Sequence, residues 1–160
     1  MLPFDYEVYG KQILEYAEDI EQQATKASPA DAKKIDFAGL KAAAEAFARA
    51  GADARSRGDG LLNGTGGASA APTSTAAFAE FNHRLIMAER DLVEPAGLPD
   101  RPWFRHVIYA PGLYTGYGVK TIPGVREAVD AGNYTRAAEQ ATIVIHALQR
   151  ATKTLQGSGS

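Results

Sequence analysis

Four stretches of this chain repeat their apolar residues at spacings of three and four, the period of a helix with one buried face. Tyr6, Tyr9, Ile13, Tyr16, Ala17 and Ile20 line the first stretch, and Phe37, Leu40, Ala44, Phe47 and Ala48 the second. Phe78, Phe81, Leu85, Ala88 and Leu92 line the third, and Tyr134, Ala137, Ala141, Val144, Ile145, Leu148 and Leu155 the fourth. Each face has to be covered, and four such helices in one domain cover each other as a four-helix bundle. The spacing predicts helices over residues 5–26, 36–57, 74–93 and 133–155, with a short helical turn over 124–130. Asp5, Asp36 and Asn133 suit the capping positions. Pro29 stops the first helix because a proline cannot continue the hydrogen-bond ladder. Alanines fill much of the second helix, which lets it lie close against a neighbour. The expectation is an all-α fold: a four-helix bundle with a long ordered aromatic loop between the third and fourth helices.

At 160 residues the chain is sized for one domain with a real core. A formal net charge of −2 leaves no electrostatic footprint for nucleic acid or an anionic membrane. No apolar run approaches the ~20 residues that span a bilayer. The absence of cysteine removes disulfides, thiolate catalysis and cysteine-based metal sites. The start, "MLPFDYEVYG", has no basic region followed by an apolar run, so it does not read as a signal peptide. Residues 58–75 form a glycine-rich connector, expected to be a surface loop. Its "NGTGGAS" lacks the G-x-x-x-x-G-K-[ST] pattern of a phosphate cradle. Residues 157–160, "GSGS", read as an appended tail, which leaves one domain over 2–156.

Catalytic patterns are missing. His83, His106 and His146 fall on three different elements, with no H-E-x-x-H among them. Glu80 and His83 have E-x-x-H spacing, but a carboxylate-bridged metal bundle needs a second copy. No G-x-S-x-G is present. No metal ligand set and no cofactor is therefore expected in this chain.

One segment follows no helical period: "GLPDRPWFRHVIYAPGLYTGYG", residues 97–118, continuing irregularly to 123. Long irregular segments in compact domains are usually functional or disordered, and disordered segments are poor in aromatics. Trp103, Phe104, Tyr109, Leu113, Tyr114 and Tyr117 are too much apolar surface to leave in water, so they are expected to pack on the bundle or on a partner. Asp100 and Arg101 could fix the segment by charge-assisted hydrogen bonds. His106, in an apolar run, is expected to be a buried, hydrogen-bonded structural histidine. The run "VIYAP", 107–111, is extended and has little to pair with.

That segment, with the following "KTIPGVREA", resembles the C-terminal helical domain of the glutamate carboxypeptidase II and transferrin receptor family. "LPFDYEVYGKQILEYAEDI" resembles the opening helix of the same domain, and "FNHRLIMAERDLVEPAGLPDRP" its third helix and exit. The likeness runs over nearly all of residues 2–156 and is weakest in the connector. It implies a transferrin-receptor-like dimerisation domain, which in the family follows a zinc peptidase domain. The zinc, its ligands and the general base belong to that peptidase domain and are not implied here. The resemblance implies a homodimer, contact with the parent's own peptidase domain, and a periplasmic or extracellular parent. It also implies that the 97–123 loop reaches the parent's active site, where a Lys-Tyr pair contacts the substrate's glutamate side. The matching positions are Gly116 and Tyr117. Tyr117 keeps the hydroxyl; Gly116 lacks the ammonium, so a glutamate preference does not carry over.

The reading is a non-catalytic homodimerisation module of a glutamate carboxypeptidase-like zinc peptidase. Its rival is a stand-alone small-molecule-binding bundle or enzyme that uses the aromatic loop as a pocket.

Overall fold

The computed structural model of the chain describes residues 4–63, 75–113 and 118–157. Among them the chain is mainly helical, with six helices and one two-stranded sheet: α1 (Tyr6–Ala27), α2 (Pro29–Ala32), α3 (Phe37–Asn63), α4 (Thr75–Arg90), β1 (Tyr109–Pro111), β2 (Val119–Thr121), α5 (Pro123–Asp130) and α6 (Tyr134–Gln156).

The helix starts follow their capping chemistry. The Asp5 carboxylate accepts from the Val8 N–H at 3.0 Å, Asp36 from Gly39 at 2.8 Å, and Asn133 Oδ1 from Arg136 at 3.0 Å. Each side chain satisfies a first-turn donor that the helix itself leaves open. Pro29 ends α1 and opens α2 at its first position, where the missing N–H is no loss.

Two helix ends differ from the spacing-based expectation. The second long helix does not stop at 57 but runs six residues further, to Asn63. Ala54, Gly58 and Leu61 continue its inner face, and Leu61 packs on the core, which outweighs the poor helix propensity of Gly58 and Gly60. The next helix stops at Arg90 rather than 93. Leu92 and Val93 close the last turn tightly on Glu89 and Arg90, and Val93 then pairs with His106 as an extended bridge.

α1 lies along α3, α3 along α6, and α4 and α5 each pack on α6. The closest crossing is between α1 and α3. A Cβ added at Gly10 would lie 2.6 Å from the Ala48 nitrogen, and one at Gly51 would lie 2.4 Å from the Glu7 nitrogen. Backbone meets backbone here, which only glycine allows. Phe47, Ile13, Ile20, Leu40, Leu148 and Leu155 fill the core between the helices.

The segment expected as an irregular loop contains a small sheet. β1 and β2 run antiparallel, with Tyr109 opposite Thr121 and Pro111 opposite Val119. "VIYAP" therefore does have a partner, ten residues downstream. Ile108 and Ile122 flank the ladder and are fully buried, so the hairpin is rooted in the core by its own side chains.

Candidate functional site

The 97–123 region is built from a tight turn, a hairpin and the short helix behind them. The turn comes first. Gly97 has φ +73°, and a Cβ there would meet the Pro102 carbonyl oxygen at 2.1 Å. Asp100 follows with φ +63°. Leu98 N–H donates to Phe104 at 2.8 Å and Phe104 N–H to Arg101 at 3.0 Å, which folds residues 98–104 back on themselves. The turn is tied to the end of α4 by Glu94 N–H to Arg105 at 2.8 Å and Val107 N–H to Leu92 at 3.0 Å.

Folding the turn this way drives Arg101 inward, where it is only 2% exposed. Its Nη2 donates to both Glu127 oxygens, each at 2.8 Å, and its Nη1 donates to the Pro111 carbonyl at the end of β1. Glu127 Oε1 also accepts the Leu113 N–H at 3.0 Å. The guanidinium sits 5.6 Å from the Phe104 ring centre. One nitrogen is thus shared between the two carboxylate oxygens, a charge-assisted contact stronger than a neutral hydrogen bond. Asp100, on the outer side, pairs with Arg136 of α6 at 2.9 Å. Ile122, buried and in the left-handed region at φ 45°, turns the chain from β2 into α5 and so brings Glu127 over the hairpin.

On the opposite side of the hairpin Tyr109 meets α1. Its ring stacks on Tyr9 at 5.8 Å with planes 6° apart, and its hydroxyl is 3.3 Å from the Tyr16 hydroxyl. His106 stacks beside it at 6.2 Å. The His106 Nδ1 accepts from the Ile108 and Tyr109 amides at 3.2 and 3.3 Å, which places the ring proton on Nε2, facing Glu89 at 3.2 Å. Burial pushes the Tyr6, Tyr9 and Tyr109 hydroxyls far above the usual tyrosine range. The Glu89 carboxylate adds to that for all three, and the Tyr16 hydroxyl adds for Tyr109. These groups are held neutral and structural, not poised to exchange protons.

The structure thus gathers Arg101, His106 and Tyr109 around one hairpin, on its two sides, and leaves Trp103 apart from them. Trp103 is 72% exposed, its ring tilted 50° to that of Phe104 with centres 6.3 Å apart. It does not pack on the helices, because the fold-back of 98–104 places Arg101 inside and Trp103 outside. His106 is half-buried rather than buried, since Glu89 and its Nε2 reach the surface. Tyr114, Gly116 and Tyr117 lie outside the described residues. Glu89 stands in the charged run Glu89-Arg90-Asp91 at a helix end, placed to reach into the loop, whereas Glu127 and Tyr16 carried no signal as partners, at 26 and 93 residues from the groups they bind. Among the described residues no three His, Cys, Asp or Glu side chains converge as a metal site. Glu80 binds Arg84 at 3.0 Å, while His83 is exposed. The hollow under the turn, between Pro99, Leu113, Glu127 and Asn133, is about 90 Å³. Ligand pockets are typically ~300–1,000 Å³.

The profile of the transferrin receptor-like dimerisation domain matches residues 35–156. This chain belongs to that family. A probable glutamate carboxypeptidase of Arthroderma benhamiae is 60% identical over 50 residues, which are 31% of this chain and 7% of the relative. A probable glutamate carboxypeptidase of Arabidopsis thaliana, AMP1, is 28% identical over 162 residues, covering 98% of this chain and 21% of the relative. An inactive zinc metalloprotease of Schizosaccharomyces pombe is 31% identical over 71 residues, covering 44% of this chain and 9% of the relative. The chain spans about a fifth or less of these relatives' length. Among the described residues of this dimerisation domain, no helix is long and apolar enough to cross a membrane.

Proposed function

We propose that this chain is the non-catalytic homodimerisation module of a glutamate carboxypeptidase-like zinc peptidase. The observation that carries the reading is the family match over residues 35–156, together with relatives named as glutamate carboxypeptidases. The module is one domain over 2–156, a four-helix bundle of α1, α3, α4 and α6. Its 97–123 segment is the edge that faces the parent's peptidase domain. Gly116 and Tyr117 line the substrate pocket there, with zinc held by the peptidase domain and not by this chain. Trp103, Phe104 and Tyr114 belong to that contact surface, and the exposure of Trp103 supports it, since a large ring on a rigid turn is a typical interface anchor. The parent acts in a periplasmic or extracellular space, by the same likeness.

The test is light scattering coupled to size-exclusion chromatography over a dilution series. The expected result is a mass of twice 17.0 kDa that persists on dilution. A monomer at every concentration overturns self-association of this chain. Peptide hydrolysis by the purified chain with added zinc overturns the non-catalytic reading.

A further inference from the structure

We propose that Arg101 and Glu127 are positioning residues for the chain that leaves β1, from Pro111 to Leu113, and that fixing this stretch, not stabilising the core, is their role. The buried pair is poor material for stability. Two charges lose their hydration in a protein interior, and well-packed apolar residues of similar size often do as well or better. Arg101 also leaves its Nε buried without a hydrogen-bond partner, a loss that an apolar side chain would not incur. Apolar side chains could not make the pair's two main-chain contacts. Arg101 Nη1 donates to the Pro111 carbonyl, the last residue of β1, and Glu127 Oε1 accepts the Leu113 N–H, two residues into the turn. Between them, Gly112 N–H donates to the Gly118 carbonyl at 2.9 Å, across the mouth of the turn. The near limb of the turn is therefore held on both sides of Gly112, by groups anchored in two different elements. Arg101 comes from the folded-back 98–104 turn and Glu127 from α5. Arg101 lies on no helix and Glu127 on the short α5, so the packing of α1, α3, α4 and α6 on one another does not use the pair.

This inference goes beyond the proposed function and stands without it, because its readout is in this chain alone. The experiment is residue-resolved amide hydrogen exchange on the native chain and on the double variants Arg101→Met/Glu127→Met and Arg101→Met/Glu127→Gln. Arg101→Met/Glu127→Met removes the pair without leaving a buried charge alone. Its expected result is about tenfold faster exchange at Leu113, the effect of one lost hydrogen bond, with Val144 and Leu148 of α6 unchanged. Arg101→Met/Glu127→Gln also removes the charge but keeps a carbonyl acceptor for the Leu113 N–H, and is expected to hold Leu113 to within about threefold of native. Native-like exchange at Leu113 in Arg101→Met/Glu127→Met overturns the proposal. So does equal acceleration at Leu113 and in α6, or failure of that variant to fold, since either makes the pair a support of the whole domain. Exchange at Leu113 in Arg101→Met/Glu127→Gln as fast as in Arg101→Met/Glu127→Met overturns it as well.

Discussion

Gly97, Asp100 and Ile122 each hold a positive φ, at 73°, 63° and 45°, and all three lie where the chain changes direction around one hairpin. Their tolerance differs. Asp visits the left-handed region with little strain, whereas a β-branched Ile there is a genuine outlier. Ile122 is kept by what surrounds it: a fully buried side chain and an N–H to Ile108 at 2.8 Å. Gly97 has no such latitude for change, because strain and collision act together. In Gly97→Ala the new methyl carbon would occupy the position 2.1 Å from the Pro102 oxygen. The expected loss is roughly 1–3 kcal/mol of unfolding free energy, read from guanidinium denaturation. A change below about 0.5 kcal/mol, the scatter of neutral surface changes, would show that the 98–104 turn is not rigid.

At the scale of elements, the α1–α3 crossing sets how close the two helices lie. Gly10 faces Ala48, and Gly51 faces the Tyr6–Glu7 backbone. Substituting alanine at either glycine improves helix propensity by about 1 kcal/mol but forces the helices apart. Overpacking of a close contact typically costs about 1–3 kcal/mol. Gly51→Ala is therefore expected to destabilise in urea, and a stabilised variant would mean that α1 shifts freely along α3. The same crossing shows what was legible in the sequence. Small residues in the second helix signalled a close neighbour, and the caps at Asp5, Asp36 and Asn133 placed three helix starts to within a residue. The end of α3 was not legible, because Gly58 and Gly60 speak for a loop and only the packing of Leu61 speaks against it. The hairpin was hidden too. Its strands are three residues each, one ends in Pro111, and its stability comes from Ile108 and Ile122 in the core rather than from strand patterning. For the site, Arg101 and His106 could be singled out from their setting. Glu89 could be read as reaching into the loop from its charged helix end, but Glu127 could not, because a pairing 26 residues away leaves no local spacing to read.

Across the whole molecule, one aromatic cluster joins α1, α3, α4 and the hairpin, and its chemistry makes the fold sensitive to base. Tyr6 packs on Phe47 at 5.5 Å and donates its hydroxyl to the Leu85 carbonyl at 2.6 Å; Tyr9 stacks on Tyr109, which meets Tyr16. Burial raises the hydroxyls of Tyr6, Tyr9 and Tyr109 in the folded chain, while in the unfolded chain each ionises near pH 10. The folded state thus keeps protons that the unfolded state releases. A raised native value contributes stability that is fully present below about pH 10 and is lost as pH climbs above it. The cluster should therefore drive cooperative alkaline unfolding in which the helices and the hairpin are lost together. Tyr9→Phe keeps the ring stacked on Tyr109 and removes one of these ionisations, so the variant should shift the alkaline midpoint upward. Helix content and tyrosinate absorbance, followed together through the titration, check both statements. A midpoint that does not move in Tyr9→Phe, or tyrosinate absorbance that rises fully before helix content falls, would mean that the cluster ionises without opening the fold.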